Sequence, residues 1–221
     1  MDSIKKLSGV GEKRAALFEK KGVKTILDLL YYFPRGHEDR TKFTDIKNLV
    51  VGESACIIAK VYSPVKEVRI RKNFTVYTMT VFDDSGAMNI VWYNNRFVKG
   101  TFKTGEDILF YGKVSANRNK LEMQNPVYEK KEKMRFIGKI VPIYPLSGML
   151  TQKIIQSAME QAIEYADDIE EYIPTKILDM YSLPNIASAM RNIHFPESFE
   201  GYERSRRRFV FEELFLLQLA L

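Results

Sequence analysis

The stretch TMTVFDDSGAMNIVW, residues 78–92, decides the fold of this chain. Apolar and β-branched residues fill both of its arms, and between the arms lies Asp83-Asp84-Ser85-Gly86, a run of residues that favour tight turns. Two such arms joined by a short turn are typical of an antiparallel β-hairpin. The stretch therefore predicts a hairpin near the centre of the sequence.

Similar apolar and aromatic runs continue on both sides of this hairpin. Turn signals separate them, among them Ser63-Pro64 and Lys103-Thr104-Gly105. Five short strands at this spacing favour the five-stranded Greek-key barrel of the OB-fold, which commonly binds oligonucleotides, over an SH3-like barrel or an open sheet. The predicted strands are Ala55–Tyr62, Phe74–Phe82, Met88–Tyr93, Asp107–Val114 and Lys120–Tyr128.

Helices are predicted on both flanks of the barrel. Near the N-terminus, apolar residues recur at helical spacing, Thr25 or Asp28 opens the second helix, and Pro34-Arg35-Gly36 ends it. After the barrel, polar and proline signals mark further helix starts. These helices are predicted to begin near Thr151, Pro174, Pro184 and Glu203.

The whole pattern indicates an α+β fold, in which a five-stranded OB-fold β-barrel is flanked by N-terminal helices and a C-terminal helical linker. We predict an N-terminal helical segment over 1–45, an OB-fold domain over 46–135 and a helical linker over 136–221. The last predicted helix ends in the apolar run Phe209–Leu221 without a cap or a polar tail. We therefore expect the natural chain to continue.

The composition predicts a protein of the reducing cytoplasm. The chain has 221 residues, of which 45% are hydrophobic and 28% charged, and its formal net charge is +6. This basic excess fits a nucleic-acid partner, although charge alone does not select one. The one cysteine, Cys56, lies in an apolar run, which predicts a buried thiol and no disulfide within the chain. No apolar run is long enough to cross a bilayer.

Catalytic chemistry and metal binding are not supported by the sequence. His37 and His194 lie far apart without metal-ligand spacing, so both are predicted to be structural. The stretch GTFKTG, residues 100–105, lacks the lysine and hydroxyl of a phosphate-binding P-loop and precedes a strand instead of a helix. We therefore predict no catalytic residue, no metal site and no cofactor in this chain.

Two aromatic residues after the central hairpin are candidates for base stacking. Strand alternation puts Trp92 and Tyr93 on opposite faces. With Trp92 in the core, Tyr93 points outward, and Phe97 follows beyond a polar turn. Exposed rings of this kind can each stack on an unpaired base. The alternative is that Phe97 caps the barrel and Tyr93 covers a helix.

Basic and amide side chains near the barrel loops are candidates for phosphate contacts. One group lies between the first two predicted strands, a second surrounds Phe97, and a third lies between the fourth and fifth strands. The first and third loops flank the ligand face of an OB-fold. The residues predicted to contact the DNA backbone are Arg69, Arg71, Lys72, Asn94, Arg96, Lys99, Arg118 and Lys120.

A further phosphate-binding candidate lies near the N-terminus. The run Leu7–Ala15 contains Gly9-Val10-Gly11 and is similar to the turn of a helix-hairpin-helix element, in which backbone amides approach a phosphate. A tight turn between two packed helices explains the same residues, and we prefer that interpretation.

Taken in order, the quoted motifs resemble those of the RecG family of bacterial ATP-dependent DNA helicases. The resemblance covers the whole chain, and its specificity comes from the series of motifs, because each is weak alone. The matching residues are Gly9-Val10-Gly11, Asp28-Leu29-Leu30, Phe33-Pro34-Arg35, Glu38-Asp39-Arg40, Trp92-Tyr93-Asn94, Asn125-Pro126, Ile140–Pro145, His194-Phe195-Pro196 and Arg206–Phe209.

This resemblance implies a wedge that binds forked or junction DNA while motor domains, which bind ATP and Mg, act in cis. The family remodels stalled forks and Holliday junctions in repair and recombination. Tyr93 and Phe97 match its stacking aromatics with their identities exchanged, and Arg96 stands where proline is common. The motor motifs are not in this sequence, so the chain matches the family's front portion. A cytoplasmic monomer without a membrane partner is expected.

Two other functions also fit the residues. A stand-alone OB-fold protein that binds single-stranded nucleic acid or tRNA would have the same barrel with helical flanks. An adaptor would use its helical C-terminal part to dock another protein, with a purely structural barrel. Salt-sensitive DNA binding would separate the adaptor from the other two.

Overall fold

The structure of this protein is a computed structural model that describes residues 2–118, 120–146 and 148–220. The chain forms two compact units. One combines Met1–Glu38 with Ile140–Leu221, and the other is Asp39–Lys139. The three consecutive domains predicted above remain a prediction. Among the described residues, no helix has both the length and the apolar character needed to cross a membrane.

The secondary structure alternates between helical and extended regions much as the sequence predicts. The strands are β1 (Gly36–Asp39), β2 (Ser54–Val61), β3 (Lys66–Arg71), β4 (Phe74–Asp83), β5 (Gly86–Tyr93), β6 (Asp107–Asn117), β7 (Lys120–Gln124), β8 (Val127–Lys130) and β9 (Ile140–Ile143). The α-helices are α1 (Glu12–Glu19), α2 (Ile26–Leu30), α3 (Gln152–Ala162), α4 (Thr175–Tyr181), α5 (Ile186–His194) and α6 (Phe199–Ala220).

The main sheet confirms the predicted α+β fold with an OB-fold. Its strands follow the order β2-β4-β5-β7-β6-β8, and β2 also pairs with β6, so the path of pairings returns to its first strand. β4 and β5 form the predicted antiparallel hairpin, in which Thr80 is opposite Asn89. β5 and β7 are parallel. This Greek-key order is that of the OB-fold.

Three elements differ from the predictions. The segment Lys66–Arg71, predicted as a loop, is the strand β3, which pairs with β4 through a turn at Lys72-Asn73. The fifth predicted strand is divided into β7 and β8 because Pro126 cannot donate to a ladder and Asn125 has a φ of 44°. Finally, β1 lies in the segment predicted to be helical, and it pairs with β9.

The core of the main sheet is built from alternate side chains of β4 and β5. Met79 and Val81 on β4 and Ile90 and Trp92 on β5 are all buried. Trp92 is 1% exposed, and its ring stacks on that of Phe102 with the centroids 5.5 Å apart. The prediction that Trp92 belongs to the core is therefore confirmed. Cys56 is buried as well, as the sequence predicts.

The other unit buries the first and last helices in one common core. Phe18 and Leu29 pack there with Ile155 and Met190, which come from the opposite end of the chain. The predicted start of α2 is confirmed at Thr25. Local signals thus place the helices, while the shared core joins segments that are distant in sequence.

Two sets of side-chain hydrogen bonds stabilise this helical unit. The hydroxyl of Thr25 accepts from the backbone N–H of Asp28 at 3.1 Å, and the Asp28 carboxylate accepts from the N–H of Thr25 at 2.9 Å, which forms a capping box. His194 is fully buried; its Nε2 donates to the Leu30 carbonyl at 2.7 Å, and its Nδ1 accepts from the Tyr144 hydroxyl at 2.9 Å. Burial lowers the pKa of His194 to about 4. A neutral, fully bonded imidazole matches its predicted structural role.

Candidate nucleic-acid interface

One face of the β4–β5 hairpin points away from the core. Because Tyr77, Met79 and Val81 of β4 are buried, strand alternation turns the intervening residues outward. We call this surface the outer face. Its residues on β4 are Phe74, Val76, Thr78, Thr80 and Phe82, and those on β5 include Asn89 and Tyr93.

Tyr93 lies on the outer face at the end of β5 and stacks on a second aromatic ring. It is paired with Val76, and Phe74 lies two residues earlier on β4, in the diagonal position of the same face. The two ring centroids are 5.8 Å apart and the ring planes differ by 15°. Phe74 thus supports Tyr93 from one side and leaves it half-buried. The sequence did not predict this partner, since the contact depends on strand register.

Phe97 is held away from the protein by a short 3₁₀-helix, Arg96–Val98. The Asn95 side chain accepts from the backbone N–H of Phe97 at 3.2 Å, which caps the turn. Val98 is fully buried and anchors the turn to the core. Phe97 itself is 76% exposed, so its ring does not cap the barrel. The alternative that Tyr93 covers a helix is not supported either, because its ring stacks on Phe74 of β4.

Two asparagine side chains fix the backbone around Tyr93. The amide oxygen of Asn94 accepts from the N–H of Thr75 at 2.9 Å, and that of Asn125 accepts from the N–H of Tyr93 at 3.1 Å. Both asparagines have a positive φ, 52° and 44°, which asparagine tolerates better than most residues. Asn94 is predicted to contact the DNA backbone, but its amide oxygen already accepts a hydrogen bond within the protein.

Replacing Asn125 with alanine is expected to lower the free energy of unfolding by about 2 kcal/mol. The variant loses the hydrogen bond to Tyr93 and forces a Cβ-bearing residue without a polar side chain to keep a left-handed φ. Urea denaturation measures this loss. The matched control is Asn125→Gly, which keeps the backbone conformation and should recover part of the loss. An unchanged unfolding midpoint for Asn125→Ala would contradict this role.

Two of the predicted arginines lie against the aromatic rings. The guanidinium of Arg71 is 5.6 Å from the Phe74 ring centroid, and that of Arg96 is 5.4 Å from the Phe97 centroid. Neither forms an ion pair with any residue that the structure describes. Lys72 is exposed in the turn between β3 and β4. These three cations are thus available to phosphates beside the stacked rings.

Two other predicted contacts are placed less favourably. Arg69 is opposite Thr75, which lies on the side of β4 opposite to the outer face. Lys99 donates from Nζ to Glu67 Oε2 at 2.9 Å, and this hydrogen bond, with the charge of Glu67, raises the pKa of Lys99. Its charge is therefore partly balanced within the protein.

The last two predicted residues lie at the far end of the outer face. Lys120 comes two residues before Glu122, which is paired with Asn89, so Lys120 aligns with Ala87. Six residues separate Ala87 from Tyr93, or about 20 Å along the strand. Arg118 precedes Lys120 in the exposed turn after β6. Lys120 therefore lies at the end of the outer face opposite to Tyr93, whereas Arg69 is on the other face of the sheet.

Hydrogen bonds within the protein hold the glycine-containing turn near the N-terminus. The backbone N–H of Ser8 donates to Gln161 Oε1 at 2.7 Å, and Gln161 Nε2 donates to the Ser8 carbonyl at 3.1 Å. Arg14 donates to the carbonyl of Gly9 at 2.7 Å. These bonds favour the interpretation of Gly9-Val10-Gly11 as a tight turn.

The similarity to known proteins extends over nearly the whole chain. A family model described as the RecG wedge domain matches residues 3–166. The ATP-dependent DNA helicase RecG of Thermotoga maritima is 31% identical over 98% of this chain and 28% of its own length, and that of Aquifex aeolicus is 29% identical over 99% and 29%. A solved structure of RecG bound to a three-way DNA junction is 30% identical, with a TM-score of 0.89 over 99% of this chain and 30% of that one.

The chain thus spans less than a third of the length of these relatives. The match nevertheless includes both the sheet with its outer face and the helices on either side in sequence. The family model covers three quarters of the chain, and the relatives and the solved structure cover nearly all of it. The chain therefore belongs to the RecG wedge domain family.

Proposed function

We propose that this chain is the branched-DNA-binding wedge of an ATP-dependent DNA helicase that remodels stalled replication forks and Holliday junctions in repair and recombination. The observation that carries the proposal is the exposed ring of Phe97, held on a capped turn beside the Tyr93–Phe74 stack. A large apolar ring is held in solvent by a rigid support. Such an arrangement fits a site in which the ring is covered by a partner.

Base stacking explains how the rings would act. Separating a base pair removes stacking worth about 1.4 kcal/mol per step. A freed base that stacks on an aromatic side chain recovers about 1–3 kcal/mol, whatever its identity. Tyr93 and Phe97 would each take one base, while Phe74 holds Tyr93 in place from the protein side. Two stacked bases would thereby recover at least as much free energy as one unpaired step costs.

The cations beside the rings would hold the backbone of the same strand. Arg71 and Arg96 lie against Phe74 and Phe97, and Lys72 is in the adjacent turn. Phosphate contacts of this kind carry no sequence information, which suits a protein that must act at any branch. Arg69, Asn94 and Lys99 are proposed as outlying contacts.

The rest of the mechanism belongs to a longer protein. The RecG relatives extend well beyond the matched region, and the solved relative was bound to a three-way DNA junction. We propose that motor domains in cis, which bind ATP and Mg, pull duplex against this wedge. The complete protein would work as a cytoplasmic monomer.

A binding experiment with forked and duplex DNA tests this proposal. The 221-residue chain should bind a labelled fork more tightly than a duplex of equal length in fluorescence anisotropy, because only the fork offers unpaired bases to the rings. Fork affinity should fall with rising salt. Arg71→Gln combined with Arg96→Gln should reduce the logarithmic salt slope by about 2, since each arginine would neutralise one phosphate.

The control is Lys99→Gln, which removes a cation that Glu67 already pairs. Its salt slope should change less than that of the double arginine variant. Equal affinity for fork and duplex would rule out a branch-specific wedge. A salt slope unchanged in the double variant would remove Arg71 and Arg96 from the site.

A further inference from the structure

The outer face carries a second aromatic pair that the wedge does not use. Tyr62, just after β2, is 67% exposed, and its ring meets that of Phe82 edge to face with the centroids 6.1 Å apart. The backbone N–H of Tyr62 donates to the Thr80 carbonyl at 3.0 Å, which continues the pairing of β2 with β4. The pair is therefore fixed to the sheet rather than carried on a free loop.

Strand alternation puts this pair on the same face as the first one. Phe82 is eight residues after Phe74 on β4, and even-numbered residues of this strand point outward. At about 3.3 Å per residue the two positions are about 26 Å apart. Between them lie Val76, Thr78 and Thr80, whose side chains are short and half-buried.

Two lysines flank the second pair in register. Lys60 of β2 is paired with Phe82, and Phe82 is paired with Ala87. The β5–β7 pairing begins at Asn89 and Glu122, and its continuation by two residues brings Lys120 of β7 beside Ala87. At about 4.8 Å between neighbouring strands, one lysine lies one strand from Phe82 and the other lies two strands away. Both are exposed, and neither forms an ion pair with any residue among 2–118, 120–146 and 148–220.

The carboxylates nearest to this group are Asp83, Glu122, Asp107 and Asp84, of which the first two are engaged within the protein. Asp83, next to Phe82, accepts from the backbone N–H groups of Ile46 and Gly86. Glu122 is buried and accepts from Gln124 Nε2 at 2.7 Å. Asp107 is directly opposite Lys60 on β6 and offsets part of the charge of that lysine, and Asp84 lies in the turn. The exposed rings thus have basic groups on both sides, which fits a phosphate-bearing partner.

We infer that Tyr62, Phe82, Lys60 and Lys120 form a second binding site for single-stranded DNA on the outer face. The inference rests on the proposed function, because the strand it takes is the one unpaired at Tyr93 and Phe97. A strand with the 3.4 Å rise of stacked DNA covers 26 Å with about eight nucleotides. This length lies within the 4–16 nucleotides that an OB-fold commonly occupies. The second site guides the freed strand away from the branch point.

Forks with arms of different length test the second site. Both forks contain the same junction, and their single-stranded arms have two or twelve nucleotides, so only the long arm reaches Tyr62. Tyr62→Ala should lower the affinity of the 221-residue chain for the long-arm fork about tenfold, by loss of one stacked base, and leave the short-arm fork unchanged. Lys120→Gln, which removes no packed atom from the core, should reduce the salt slope for the long-arm fork alone.

Tyr181→Ala is the matched control, since Tyr181 is an exposed tyrosine on α4 in the other unit. It should leave both affinities unchanged. An unaltered long-arm affinity in Tyr62→Ala would overturn the second site, and so would an equal loss on both forks, which would show an effect through the fold. A different result would contradict the proposed wedge function itself: the unmodified chain would bind neither fork more tightly than duplex DNA.

Discussion

Replacing Tyr93 and Phe97 together with alanine is expected to weaken the binding of forked DNA about thirtyfold or more. Each stacked base contributes about 1–3 kcal/mol, and the two rings would hold two bases, so the loss is about 2–6 kcal/mol. Phe97 is largely in solvent, and Tyr93 is half-buried against Phe74. The free energy of unfolding should therefore fall by only about 1 kcal/mol. Fluorescence anisotropy and urea denaturation measure the two quantities.

Exchanging the rings provides the sharpest control. Tyr93→Phe combined with Phe97→Tyr keeps both aromatic faces, so fork affinity should be nearly that of the unmodified chain. Phe199→Ala, which removes an exposed phenylalanine from the other unit, should also bind normally. The stacking role is refuted if the double alanine variant binds forks with undiminished affinity, or if the exchanged variant binds as weakly as the double alanine variant.

The hairpin and its exposed aromatic residues follow from the sequence because they depend on local rules. The period of two along β5 separates Trp92 from Tyr93, and the structure buries the first and leaves the second on the outer face. The polar run after Tyr93 likewise indicates a turn, and Phe97 stands exposed on it. Each of these predictions needs only neighbours within a few residues.

The features that could not be predicted from the sequence depend on pairing between residues that are distant in the chain. Phe74 becomes the partner of Tyr93 through the register of β4 and β5, about twenty residues apart in the chain. The exposed strand β3 was predicted as a loop because its charged residues dominate, although Val68 and Ile70 do alternate within it. The signal that could have identified the β3–β4 turn is Asn73, which adopts a φ of 66°.

The helical flanks show the same distinction: helix starts can be predicted locally, and the shared core cannot. Capping residues mark helix starts locally, and the Thr25 cap was predicted in this way. No local pattern shows that Phe18 and Leu29 share a core with Ile155 and Met190. Packing in this core joins residues 1–38 and 140–221 into one compact unit. Burial between segments so distant in sequence is a property of the whole fold.

A buried ion-pair network in this helical unit leads to the second large expected effect. Arg208 of α6 is fully buried, and its guanidinium donates from Nη2 to Glu171 Oε1 and from Nη1 to Glu212 Oε2, each at 2.8 Å. Glu171 in turn accepts from the backbone N–H of Ile173 at 3.0 Å and of Ile186 at 2.7 Å. Arg208 thereby connects α6 to the segment before α4 and to the first residue of α5.

Replacing Arg208 with alanine is expected to lower the free energy of unfolding by about 3–5 kcal/mol, which urea denaturation would measure. The variant leaves Glu171 and Glu212 as poorly solvated carboxylates without their cation, and such broken buried pairs are strongly destabilising. Arg206→Ala, which breaks an exposed pair with Glu203, should cost less than about 1 kcal/mol.

A compensated variant separates the charge effect from the loss of packing. Arg208→Met alone fills much of the space of the arginine stem but leaves the charge of Glu212 unpaired. The compensated variant, Arg208→Met combined with Glu212→Gln, removes that charge as well, while the Glu171 carboxylate keeps its two backbone N–H donors. This variant should recover a large part of the stability lost in Arg208→Ala. If Arg208→Ala were as mild as Arg206→Ala, the network would be unimportant for stability. If the compensated variant were no more stable than Arg208→Met alone, the loss would come from packing and not from unpaired charge.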